Sequence, residues 1–195
     1  MQELFARSEQ TLERARRVVQ DSGVISCWAA VGARVELVGS MRTGLMLHHL
    51  DIDMHVYTSD CSIAESFGAM ASLAGDSRIQ RVEYVNLLEA EDHCLEWHAW
   101  YKDTQGAIWQ LDMIHMSETS PFAGYFERVA DAVRNALTPE TRRAILEIRH
   151  AFRDDAEVKG IQVYQAVLRD GIRGPGEFQR WQDEHAVQGI IDWMP

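Results

Sequence analysis

The chain has 195 residues, a formal net charge of -11 and a pI near 5.1. That length suits one large domain or two small ones with a real core, and no window is long and uncharged enough to span a bilayer. The acid excess lacks the basic footprint of a nucleic-acid binder, so a nucleic-acid partner is not expected; it suits a cationic or small neutral partner or divalent metals, with plain solubility as the simpler reading.

In chain order, residues 2–21 repeat apolar positions at helical spacing (Leu4, Phe5, Leu12, Ala15, Val18, Val19) until Ser22-Gly23 breaks the pattern. Charges stand where a signal peptide needs an apolar stretch, so this reads as the start of a mature helix. "VISCWAAVG" reads as a second helix, "RVELVGS" as a short strand ending in a turn, and "LDIDMHVYT" as an alternating strand. "SIAESFGAMASLAG" follows as a helix of small residues. "QRVEYVNLL", "CLEWHAWYKD" and "AIWQLDMIHM" are β-rich, the last two flanking a "TQG" hairpin turn.

From Ser120 the character becomes helical. Ser120 as N-cap with Pro121 after it opens "SPFAGYFERVADAVRNAL", and Thr138 with Pro139 opens "TPETRRAILEIRHAFRD". "AEVKGIQVYQAVLRDGI" and "GEFQRWQDEHAV" complete this half around the loop "GIRGPG". The expected organisation is an α/β (α+β) domain with a mixed sheet over 1–118 and a C-terminal helical bundle over 119–195. Cys27, Cys61 and Cys94 are odd in number and show no CxxC spacing, which fits a reducing cytoplasm and argues against a disulfide frame or zinc knuckle.

The chemistry concentrates at "LDIDMHVYT". Side chains at i and i+2 leave one face of a strand, so Asp51 and Asp53 point together while Ile52 and Met54 face the core. Two unpaired adjacent carboxylates cost several kcal/mol to bury. A divalent cation resolves that cost, since Mg²⁺ accepts one or two carboxylates plus phosphate oxygens. Asp112, isolated in an apolar strand, is the third candidate ligand, ahead of Asp92 and Asp103 at strand ends or turns. The competing reading, ordinary acids on a surface-facing strand, fits poorly with such apolar neighbours. Upstream, Gly39 permits close backbone approach, Ser40 offers a hydroxyl and an N–H to phosphate, and Arg42 offers neutralising charge. A short helix beginning within 41–48 would add its N–H groups.

A strand ending in Gly39-Ser40, an Asp51-Ile52-Asp53 strand and a later strand with Asp112 resembles the DNA polymerase beta-type nucleotidyltransferase superfamily, over roughly residues 30–117. The resemblance implies two-metal transfer of a nucleoside monophosphate from a nucleoside triphosphate, with ATP the expected donor and pyrophosphate released. By motif position Asp51, Asp53 and Asp112 would be catalytic and bind two Mg²⁺ ions, or Mn²⁺ in their place. Asp112 would help activate the acceptor hydroxyl, and Ser40 would hold the distal phosphates. The short chain, without basic accessory regions, points to the small-molecule branch, such as the antibiotic nucleotidyltransferases. Several members use a lysine and an aromatic from C-terminal helices, which would place Lys159 on the triphosphate and Tyr164 near the base, with a solvated helix lysine as the plainer reading.

Other features have plainer readings. His55 reads as a hydrogen-bonded strand histidine, and Trp97, Trp100, Tyr101 and Trp109 as sheet core with a ring-stacking wall as the alternative. Gly171, Gly174 and Gly176 read as a helix connection. The rival functions are a protein-modifying nucleotidyltransferase, an RNA-tailing enzyme and a non-catalytic nucleotide-binding module. The oligomeric state is open, a homodimer included.

Overall fold

The computed structural model describes residues 2–155, 158–185 and 193–195. Helix α1 (Gln2–Ser22) buries Leu12, Ala15, Val18 and Val19 along one stripe, and α2 (Val24–Ala29) follows with Trp28 fully buried. Strand β1 (Arg34–Leu37) leads into the one-turn helix α3 (Gly39–Thr43), then β2 (Asp51–Thr58), α4 (Ile63–Ala74) and β3 (Ile79–Leu87). Strands β4 (Cys94–Lys102) and β5 (Ile108–Ser117) form the expected hairpin. The helices α5 (Tyr125–Ala136), α6 (Pro139–Ala151), α7 (Gly160–Leu168) and α8 (Pro175–Glu184) complete the order.

The sheet runs β1-β2-β5-β4-β3, antiparallel throughout except for the parallel pair β2–β5. Strand alternation sorts its two faces. Ile52, Met54, Leu95, Trp97, Leu111 and Met113 point to the back, where α1, α2 and α4 cover them in one core. Each large side chain removed from water there contributes about 1.5–3 kcal/mol. The front face carries Asp51, Asp53 and His55 on β2, Gln110 and Asp112 on β5, and Glu96, His98 and Trp100 on β4. A second core joins α5, α6, α7 and α8, and takes Leu45 and Leu47 from the segment after α3.

Three boundaries differ from expectation, each for a local reason. Helix α5 starts at Tyr125, not Ser120: residues 120–124 form turns in which Ser120 Oγ accepts from Phe122 N at 3.2 Å, and Gly124 at φ 71° lies outside helical space. The Gly39-Ser40 pair is itself the first turn of α3, which ends at Gly44 (φ 78°) rather than running on to residue 48. Helix α8 starts with Pro175 at its first position, inside the expected loop. Helix α6 forms as expected, with Thr138 Oγ1 accepting from Thr141 N at 3.2 Å. Of the residues expected to be helical, 156–157 and 186–187 lie outside the described residues, and α7 starts at Gly160.

Candidate active site

The front face of the sheet and the helices α5, α6 and α7 enclose a cleft of about 600 Å³. Sheet pairing brings the expected acids together. Asp53 and Asp112 are direct partners on β2 and β5, and Asp51, two residues before Asp53, shares their face. All three line the cleft.

Asp53 lies deepest. Gly39 has φ 56°, and a Cβ built on it would overlap Asp53 Oδ2, so a residue without a side chain is required at the foot of α3. Burial first, then the charges of Asp51 and Asp112, push the Asp53 carboxyl up to about 7. Arg149 and a hydrogen bond from the Ser40 backbone N–H act in the opposite direction. The N–H expected to hold phosphate is therefore given to Asp53, while Ser40 remains in the cleft wall.

Arg42 is engaged away from the cleft. Its Nε and Nη2 donate to Asp131 at 3.0 and 2.7 Å, and its Nη1 donates to Glu36 and to the Leu37 carbonyl. These bonds tie α3 to α5 and β1 and raise the Arg42 pKa further. The guanidinium has no place in the cleft lining.

Lys159 and Tyr164 both line the cleft from the α7 side. Tyr164 is buried, its hydroxyl 3.4 Å from Arg149 Nη1, and Lys159 N donates to Gln162 Oε1 at the start of α7.

Three contributors were not legible in the sequence. Arg149 on α6 reaches the cleft while its Nη1 donates to the Leu45 carbonyl at 2.6 Å. His98 Nδ1 lies 2.5 Å from Asp112 Oδ1, and Gln110 Nε2 lies 2.8 Å from the same oxygen. Arg149 had no motif to mark it, and His98 and Gln110 acquire meaning only once β4 and β5 are placed in register.

His55 is the hydrogen-bonded strand histidine expected, 3.2 Å from the Tyr57 hydroxyl, which donates to Glu127 at 2.6 Å. Burial lowers its pKa against the pull of Glu127. Trp97, Tyr101 and Trp109 are core; Trp100 stands on the front face under the Arg81 guanidinium, 4.4 Å from its ring centre.

No three His, Cys, Asp or Glu side chains among the described residues close around one point as a preassembled metal site. The three aspartates instead form an open face, which suits a cation whose shell is completed by phosphate oxygens. The raised Asp53 pKa marks the uncompensated charge that such a cation would relieve.

No family model matches the chain, and no curated protein does. Solved structures match its fold. Cid1, described with RNA terminal uridylyl transferase activity, superposes with a TM-score of 0.61 at 14% identity, over 82% of this chain and 47% of that one. Cid1 poly(U) polymerase bound to MgGTP gives a TM-score of 0.56 at 14% identity, over 86% and 50%. The GLD-2/RNP-8 complex gives 0.58 at 7% identity, over 96% and 73%. This chain spans about half the length of the Cid1 structures it matches. The fold, a mixed five-stranded sheet with helices, is shared with these transferase and polymerase structures. The Cid1 neighbours act on RNA, so the expectation from charge that nucleic acid is an unlikely partner finds no support among them. Among the described residues no helix is long and apolar enough to cross a membrane.

Proposed function

We propose that this chain is a metal-dependent nucleotidyltransferase that moves a nucleoside monophosphate, AMP from ATP, onto an acceptor hydroxyl. The observation that carries this reading is Asp53, a carboxylate pressed against Gly39 and paired in register with Asp112, with its pKa pushed up to about 7. Asp51, Asp53 and Asp112 would hold two Mg²⁺ ions, or Mn²⁺. When bound, these ions would neutralise phosphate charge and lower the pKa of the attacking hydroxyl.

The chain's own groups supply the remainder. Ser40, Arg149 and Lys159 bind the triphosphate, and Tyr125, Ile161 and Tyr164 give the nucleoside an apolar wall. The acceptor oxygen bonds to the α-phosphorus, the bond to the bridging oxygen breaks, and pyrophosphate leaves as the hydroxyl proton passes to solvent. Strands β2 and β5 carry the carboxylates, and α5, α6 and α7 close the cleft over the nucleotide.

On the acceptor side, the net charge of -11 favours a small molecule, because the cations of the cleft are taken by the triphosphate. An RNA 3′ end is the second reading, favoured by the activity described for Cid1. A screen of triphosphates against hydroxyl compounds and oligoribonucleotides, read as pyrophosphate release, separates the two. Triphosphate binding with no release against any acceptor would leave a nucleotide-binding module.

A further inference from the structure

Two side chains close on a single oxygen of Asp112. His98 sits opposite Asp112 in the β4–β5 register with Nδ1 2.5 Å from Oδ1, and Gln110, two residues earlier on the same face, places Nε2 2.8 Å from that oxygen. An ionised carboxylate only accepts, so Nδ1 carries the hydrogen and the Gln110 amide donates. Oδ2 accepts from no donor among the described residues. Asp53 is held differently, by the Ser40 backbone N–H and the bare Gly39.

We propose that His98 and Gln110 are positioning residues, which pin Asp112 through Oδ1 so that Oδ2 alone is presented to a divalent cation. This rests on the reading of Asp51, Asp53 and Asp112 as metal ligands. A free aspartate in a strand rotates about its last bond and offers either oxygen, or both. Two donors on one oxygen remove that freedom before the metal arrives. The pair lies where such bonds are only partly screened, with the His98 and Asp112 side chains 23% and 20% exposed. Charge-assisted bonds of this length are roughly twice as strong as neutral ones. Partners that orient metal ligands typically change affinity by about 10- to 100-fold when removed.

The test is Mn²⁺ binding by calorimetry on the full chain, with thermal melts to confirm folding. His98→Phe weakens Mn²⁺ binding by about tenfold or more, and Gln110→Leu weakens it less. The deciding pair is His98→Asn and His98→Gln. The asparagine amide nitrogen takes the place of Nδ1 and keeps the bond to Oδ1, so binding stays close to wild type. The glutamine amide nitrogen takes the place of Nε2 and loses that bond, so binding falls as in His98→Phe. Equal loss in both variants, or wild-type affinity in all of them, overturns the positioning role while the metal reading stands. A wild type that binds no Mn²⁺ overturns both.

Discussion

Asp53 and Asp112 face one another in register across the parallel strands β2 and β5, so two carboxylates share one face at the spacing of neighbouring strands. With Asp51 on the same face, the sheet concentrates negative charge at the floor of a cleft whose far wall carries Arg149 and Lys159.

The first concerns pH. The Asp53 pKa of about 7 lies above its unfolded value near 3.9, so the native state binds this proton more tightly than the unfolded chain. In the metal-free protein, the stability contributed by the protonated group is lost as pH rises through about 7, a penalty of a few kcal/mol at most. Thermal melts without metal are expected to show a lower Tm at pH 8 than at pH 6. Added Mn²⁺ should raise Tm more at pH 8, where the carboxylate is free to bind it.

Gly39→Ala places a Cβ on Asp53 Oδ2 at a left-handed backbone position, which costs about 1–2 kcal/mol before any displacement of the aspartate. The expected outcome is a lower Tm together with loss of Mg·ATP binding. Retained nucleotide affinity in a folded variant would show that the close approach is not needed.

Arg42→Ala is expected to lower stability by about 1 kcal/mol, since its pairs with Asp131 and Glu36 are partly exposed. Nucleotide affinity should stay unchanged. A double-mutant cycle with Asp131→Ala should show the two losses overlapping.

Arg149→Ala removes the guanidinium nearest Asp53 in the cleft and is expected to weaken ATP binding by about tenfold or more, as for loss of a charged hydrogen bond. Lys159→Ala should act in the same direction. Calorimetric titration with Mg·ATP measures both.

The motif residues were legible because they are local. Alternation alone places Asp51 and Asp53 on one face, whereas Gly39-Ser40, read as a strand end, forms the first turn of α3. What sequence does not carry is register. Nothing in "CLEWHAWYKD" places His98 opposite Asp112, and nothing in "TRRAILEIRHAF" brings Arg149 to the Leu45 carbonyl; both follow from long-range packing. Arg42 shows the converse. Its position beside Gly39-Ser40 suggested phosphate, but one helical turn aims it at Asp131 on α5. The late start of α5 has a similar cause, because a serine–proline pair is equally at home in a turn, and Gly124 decided between the two.

Titration of Mg·ATP into the wild type and Asp53→Asn in a calorimeter, beside melts of the metal-free proteins, shows whether Asp53 holds metal. The expected outcome is metal-dependent binding to the wild type, a loss of about 100-fold or more in the variant, and a variant Tm at pH 8 no lower than wild type, since a buried repulsion is relieved. An Asp53→Asn protein that binds Mg·ATP as tightly as the wild type would contradict it.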